Sequence, residues 1–217
     1  MVEPSRGFRK HGALFFRTRD AGRGSLQRRC SGAIPASGSD VTIAFLDVHY
    51  KGSGACAACV LAESWKSQLP SRSQVLEVET VEPYESGNFF RRELPCLLSV
   101  LRLLPSLPEL VVVDGYVWLS PNHRPGLGAY LYDALGRRTP VVGIAKNAFA
   151  GVDFCSTVAH VLRGTSRKPL FVTAVGIDLE VAERCVQQMH GKHRIPEMVR
   201  IVDRLSRGEV FPHQRAA

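Results

Sequence analysis

Apolar patterning begins abruptly at Val41. Val41–Asp47 is an apolar run that ends in an acid, and Ala55–Leu61 and Val75–Val81 are two further strand-like runs separated by polar, Ser-rich turns. Short connections between three successive strands predict an antiparallel meander. A helix is predicted from about Phe90 to Leu104, where Leu94, Leu97, Leu98, Leu101 and Leu104 share one face. Pro95 fits a helix only in its first turn, so Glu93 is expected near the helix start. Leu110–Asp114 is a second short apolar run closed by an acid, and it reads as a strand buried on both faces. A loop holding Pro121, Asn122, His123, Arg124 and Pro125 leads to a predicted helix at Leu127–Leu135. Strands follow at Pro140–Ala145 and Leu170–Val175, then helices at about Leu179–Met189 and Glu197–Arg207.

That order is three strands, then alternating helices and strands, then terminal helices. It predicts an α/β domain with a mixed sheet, three antiparallel strands followed by parallel ones, flanked by helices. This is the layout of a ribonuclease H-like core. The domain is expected to span residues 41–208. Residues 1–40, rich in Gly, Ser and Arg and lacking apolar periodicity, read as a flexible basic arm, and 209–217 as a flexible tail.

Composition narrows the partner. The chain of 217 residues is long enough for one domain with a sizeable core. Its net charge of +8 favours an anionic partner such as nucleic acid. The arm holds eight Lys/Arg against three acids, so most of the excess lies there. No apolar stretch is long enough to span a membrane, and Ala13-Leu14-Phe15-Phe16 is too short for a secretory apolar region. Six cysteines without such a signal are expected to stay reduced in the cytoplasm. Cys56 and Cys59 lack a second ligand pair and read as buried small hydrophobes rather than a zinc site.

Asp47 and Asp114 each close an apolar strand. If those strands are parallel neighbours, both carboxylates emerge at one sheet edge, where open α/β sheets place their ligands. Adjacent carboxylates repel unless a cation lies between them, and oxygen-only ligands suit Mg²⁺ or Mn²⁺. Glu93 and Asp203 could complete such a cluster. The competing reading of each Asp is a turn cap. Lys146 closes a strand at the same edge, either as a phosphate ligand or as a solvated charge. Pro83-Tyr84-Glu85-Ser86-Gly87 is a shaped loop whose tyrosine either stacks on a base or packs on the core. The chain has no Gly-rich loop ending in Gly-Lys-Ser/Thr, no His-Glu-x-x-His and no Gly-x-Ser-x-Gly elbow.

Five blocks, in order, resemble the endonuclease V family. They are Phe45-Leu46-Asp47-Val48-His49-Tyr50, Pro83-Tyr84 through Arg92-Glu93, Val111-Val112-Val113-Asp114-Gly115, Val142-Gly143-Ile144-Ala145-Lys146 and His193-Arg194-Ile195-Pro196-Glu197. The resemblance implies a metal-dependent endonuclease with a ribonuclease H-like fold. It would act at deaminated bases, above all inosine, and cut one nucleotide 3′ of the lesion. Asp47, Glu93 and Asp114 would hold Mg²⁺, with Mn²⁺ able to substitute. Lys146 would contact the phosphate, and Asp203 would be the fourth active-site position. Tyr84, on the loop begun by Pro83, would be a wedge beside a flipped base held near Gly87, Gly115 and Gly128. His123-Arg124 is an approximate match to a further nucleic-acid-binding block. The link between Lys146 and the Leu170 strand, shorter than usual, is expected to contain a helix. The implied partner is nucleic acid, DNA before RNA, with no membrane role, and the chain is expected to act as a monomer. Two other readings stay open. One is a nuclease of the same fold acting on inosine-containing RNA or branched nucleic acid. The other is a nucleic-acid-binding protein without catalysis.

Overall fold

The structure, a computed structural model, describes residues 42–83, 85, 89–149 and 155–209. The expected arm, nearly all of the tail, Tyr84 and Gly87 therefore lie outside the described residues. Three strands open the fold as a meander: β1 (Ile43–Lys51), β2 (Gly54–Ala62) and β3 (Arg72–Val78). Then come α1 (Phe89–Leu101), β4 (Leu110–Asp114), α2 (Leu127–Ala134) and β5 (Val141–Ala145). The last elements among the described residues are β6 (Ala159–Val161), β7 (Leu170–Val175), α3 (Leu179–Gln188) and α4 (Glu197–Ser206). The sheet order is β3-β2-β1-β4-β5-β7-β6. β1, β4 and β5 run parallel, while β2, β3 and the far pair β7–β6 run antiparallel to their neighbours.

The central strands are apolar on both faces because both are covered. Ile43, Phe45, Leu110, Val112, Val142 and Ile144 pack under α3 and α4. Their alternates Ala44, Leu46, Val111 and Val113 pack under α1 and α2. This is the reason those strands read as continuous apolar runs. Cys56 and Cys59 are both buried on β2, on opposite faces, so they cannot share a metal ion. All described cysteines are free thiols, and burial raises that of Cys56 to about 11 and that of Cys59 to about 12. Among the described residues no helix is long and apolar enough to cross a membrane.

Two sequence expectations about helices need correction, and β7, expected to run parallel, is antiparallel to β5. Pro95 is not in the first turn, because α1 begins at Phe89 and Pro95 is its seventh residue. Pro95 is exposed, so water can partner the Arg91 carbonyl that its missing N–H leaves unpaired. The helix also ends at Leu101, short of Leu104. Second, the described part of the link after Lys146 contains β6, a strand paired antiparallel with β7, in place of the expected helix. Three residues, Ala-His-Val, are too short to show any period. β1 runs four residues past Asp47, and β3 begins three residues earlier than expected because it is an edge strand with few buried side chains.

Candidate active site

The geometry of the site follows from register and alternation. β1 and β4 are parallel neighbours, with Phe45 beside Val112 and Leu46 beside Val113. The next step along each strand is Asp47 and Asp114, which places the two acids side by side. Both share parity with the residues packed under α4, so both point to the α4 face. Lys146 follows the end of β5 on that same face. Helix α4 lays Val199, Val202, Asp203 and Ser206 along the strand ends, where Phe45, Asp47, Val112, Asp114, Val199 and Val202 line a small cleft.

Carboxylate oxygens of Asp47, Asp114 and Asp203 all lie within 4.8 Å of one another. Lys146 Nζ donates to Asp114 Oδ2 at 2.6 Å and to Asp203 Oδ1 at 3.4 Å. Arg207 clasps Asp203 from the solvent side, Nε to Oδ2 at 3.1 Å and Nη2 to Oδ1 at 3.4 Å. The Ser206 hydroxyl donates to Asp47 Oδ2. Two cations thus face three acids, and the balance differs at each. Burial pushes the Asp47 carboxyl up and the Ser206 hydrogen bond opposes this, while Asp114 and Asp203 add repulsion. Burial also works against ionised Asp203, but the Arg207 hydrogen bond and the charge of Lys146 hold it below the usual carboxylate range. Burial weakens the Lys146 ammonium less than Asp114, Asp203 and Asp47 strengthen it, so it stays charged beyond its ordinary range.

Glu93 takes a different place. It projects from α1, on the opposite side of the sheet from α4, and is outside the cluster of three aspartates. It is 7% exposed, and its Oε2 has no hydrogen-bond partner among the described residues. Burial, with Asp47 and Asp114 nearby, raises its pKa well above the ordinary value. The phenol of Tyr50, beside it, is likewise pushed up by burial and by Glu93, and the Arg92 guanidinium lies 3.9 Å over the Tyr50 ring. The three clustered aspartates form a donor set that fits a divalent cation of the Mg²⁺ type, and Glu93, with one unpartnered buried oxygen, adds negative charge nearby.

The turn after Asp114 is shaped by glycine. Gly115 has φ +145°, and a Cβ on Gly143 would come within 2.5 Å of the Gly115 carbonyl oxygen. The turn therefore settles directly on β5, and the Gly115 N–H donates to the Ile144 carbonyl at 3.2 Å. Buried Thr173 holds the next residues by accepting from Val117 N–H at 2.8 Å. Gly128 is buried in the first turn of α2 against Val117. Pro83 and the His123–Arg124 loop are exposed. His123 adopts φ 57° and meets Trp118 edge to face, and Arg124 lies over Phe149. At the other side of Lys146, Arg194 donates to the Lys146 carbonyl and, at 2.8 Å, to the Pro169 carbonyl. Sequence reasoning missed Ser206, Arg207 and the backbone role of Arg194. Spacing offered the only signal for the first two, since they follow Asp203 by three and four residues on one helix.

The sequence model of the family described as Endonuclease V matches residues 32–204. Endonuclease V of Xanthomonas axonopodis pv. citri is 30% identical over 207 residues, covering 85% of each chain. Endonuclease V of Streptomyces avermitilis is 36% identical over 172 residues, covering 70% of this chain and 71% of its own. The crystal structure of Endonuclease V from Streptomyces avermitilis superposes with a TM-score of 0.58 at 26% identity, covering 86% of this chain and 90% of that one. That of Ciona intestinalis Endonuclease V, in complex with a 24mer DNA containing an inosine followed by a ribo-adenosine, gives 0.65 at 22% identity, over 77% and 84%. A family match that spans the meander, Asp47, Asp114, Lys146 and Asp203 means that this chain belongs to the endonuclease V family.

Proposed function

We propose that the protein is a metal-dependent endonuclease that hydrolyses a phosphodiester bond 3′ to a deaminated base, deoxyinosine in DNA, in a repair role. The observation that carries this reading is the cluster of Asp47 on β1, Asp114 at the carboxyl end of the adjacent parallel strand β4, and Asp203 on α4, with Lys146 beside it. Asp47, Asp114 and Asp203 would hold Mg²⁺ or Mn²⁺, with Glu93 supplying negative charge from behind. Such a cation would act as a Lewis acid on the phosphodiester. Lys146 is two-thirds buried, stays positive, and is placed to bind a phosphate oxygen beside the acids. Arg207, half exposed, can do the same from the α4 side. In this reading Tyr84, on the loop begun by Pro83, is the wedge that parts the strands, Gly87, Gly115 and Gly128 border the base, and His123 and Arg124 contact the nucleic acid. Free thiols and a basic chain suit a reducing, nucleic-acid-containing compartment, the cytoplasm.

One observation favours a second substrate. The Ciona relative was captured on a strand with a ribonucleotide next to inosine, so inosine-containing RNA belongs in the same experiment. The protein is incubated with labelled single-stranded and duplex oligonucleotides carrying one inosine, in DNA, RNA and chimeric form, with Mg²⁺, Mn²⁺ or EDTA. The expected product is a metal-dependent cut one nucleotide 3′ of inosine, leaving a 3′-hydroxyl. Cleavage that ignores inosine, or persists in EDTA, refutes the proposal. Tyr84→Ala should lower the preference for inosine over the undamaged strand, and unchanged discrimination removes the wedge role.

A further inference from the structure

Ser206 closes α4 two residues beyond the end of the family match, and it is fully buried beside the aspartate cluster. Its hydroxyl lies within hydrogen-bonding reach of two acceptors, Asp47 Oδ2 and, at 2.8 Å, the Asp203 carbonyl one turn back. A hydroxyl has one proton. The bond to Asp203 is the local back-bond that serine commonly makes within a helix. The bond to Asp47 is different in kind. It joins residues 159 positions apart and ties the last turn of α4 to the middle of β1. The single proton is therefore shared between, or chooses between, the Asp47 carboxylate and the Asp203 carbonyl. On the same turn, Arg207 holds the Asp203 carboxylate.

We infer that Ser206 is a positioning residue for the metal centre. By engaging one oxygen of Asp47, it fixes the carboxylate's rotation and leaves the other oxygen to face the cation. By tying β1 to the turn that carries Asp203, it sets the gap between two of the three ligands. This inference rests on the metal-centre reading above. Partners of this outer kind typically change metal affinity roughly 10- to 100-fold when removed.

The test is Mn²⁺ uptake by the full-length protein, followed by electron paramagnetic resonance of free Mn²⁺, for wild type, Ser206→Ala and Asp114→Ala. The expected result is a Mn²⁺ dissociation constant raised roughly 10- to 100-fold in Ser206→Ala, and uptake abolished in Asp114→Ala. In cleavage assays the Mg²⁺ needed for half-maximal rate should rise in step, with most of the rate restored at saturating Mg²⁺. A purely structural serine would lower the melting temperature equally with and without Mn²⁺ and leave the dissociation constant unchanged, and that result overturns the inference. Should the alanine variant not fold, Ser206→Cys, close in volume with a much weaker donor, carries the same readout. If wild type takes up no Mn²⁺, or Asp114→Ala takes up as much, the metal-centre reading fails and this inference falls with it. Wild-type uptake matched by both Ser206 variants removes only the role of Ser206.

Discussion

Replacing Glu93 by Gln tests the electrostatics of the site without touching its three clustered aspartates. Glu93 is 7% exposed, has an oxygen without a partner, and feels the charges of Asp47 and Asp114. Its folded pKa is therefore raised above its ordinary 4.5. A raised carboxyl binds more protons folded than unfolded, so its contribution is fully present below about pH 4.5 and is lost as pH rises toward the folded pKa. The loss has a ceiling. Keeping a carboxyl of ordinary pKa 4.5 protonated at pH 7 costs about 3.4 kcal/mol, at about 1.4 kcal/mol per pH unit. For a domain of this size each kcal/mol moves the melting temperature by about 2–4 °C. In EDTA at pH 7, Glu93→Gln should therefore melt higher than wild type by several degrees and by no more than about 14 °C. At pH 4.5 the difference should shrink to about 0.4 kcal/mol, because Glu93 is then neutral in the folded protein and only half ionised in the unfolded chain. Differential scanning fluorimetry from pH 4.5 to 8 measures both. A Gln variant that melts lower at pH 7, or a gap that does not change with pH, would show that Glu93 is not held out of its charged form by its surroundings. Divalent cation should reverse the order, stabilising wild type more than the variant.

Asp47→Ala and Asp114→Ala should each abolish cleavage while leaving binding to an inosine oligonucleotide intact or tighter, since a negative charge leaves the phosphate path; loss of binding in gel-shift assays would argue against the metal role. Lys146→Ala should lower the cleavage rate roughly a hundredfold or more while Mn²⁺ is still bound, and bound more tightly because a competing ammonium leaves Asp114 and Asp203; single-turnover kinetics and metal titration separate the two effects. Gly143→Ala should cost roughly 1–3 kcal/mol of stability, because the new Cβ meets the Gly115 carbonyl at 2.5 Å and Thr173 Oγ1 at 2.8 Å; urea unfolding at wild-type midpoint would mean that the turn after Asp114 gives way freely.

Much of the fold was legible because burial on two faces leaves a direct mark. Leu110–Asp114 and Val141–Ala145 are apolar at nearly every position, and they are the strands covered by helices above and below. The meander was legible from its short polar turns. What escaped were elements whose sequence carries no period: β6, which is three residues long, and the start of β3, an edge strand open to solvent along much of its length. Pro95 misled for a physical reason. A lost hydrogen bond is one of the two costs of an interior proline, beside the ring's clash with the carbonyl four residues back, and on an exposed helix face water offsets the first.

The aspartates of the site show where reading a single chain stops. That Asp47 and Asp114 emerge together follows from two facts available in the sequence, that each closes an apolar run and that such strands tend to be parallel neighbours. Register then does the rest, with Leu46 beside Val113 and the acids one step further on. Asp203 carries no such mark. It sits on an amphipathic helix whose polar positions look alike, and only packing decides that the stripe of Val199, Val202, Asp203 and Ser206 meets the strand ends. The same packing separates Glu93 from the other acids, because α1 covers the opposite face of the sheet. The sequence resemblance groups Glu93 with Asp47 and Asp114 as ligands, whereas the geometry groups Asp203 with them. Asp203 and Glu93 approach the Asp47–Asp114 pair from opposite faces of the sheet, so each can serve a different cation position. Mn²⁺ titrations of Glu93→Gln and Asp203→Asn would then lose different parts of the uptake curve. Identical losses in both variants would mean that a single position is shared by all four acids.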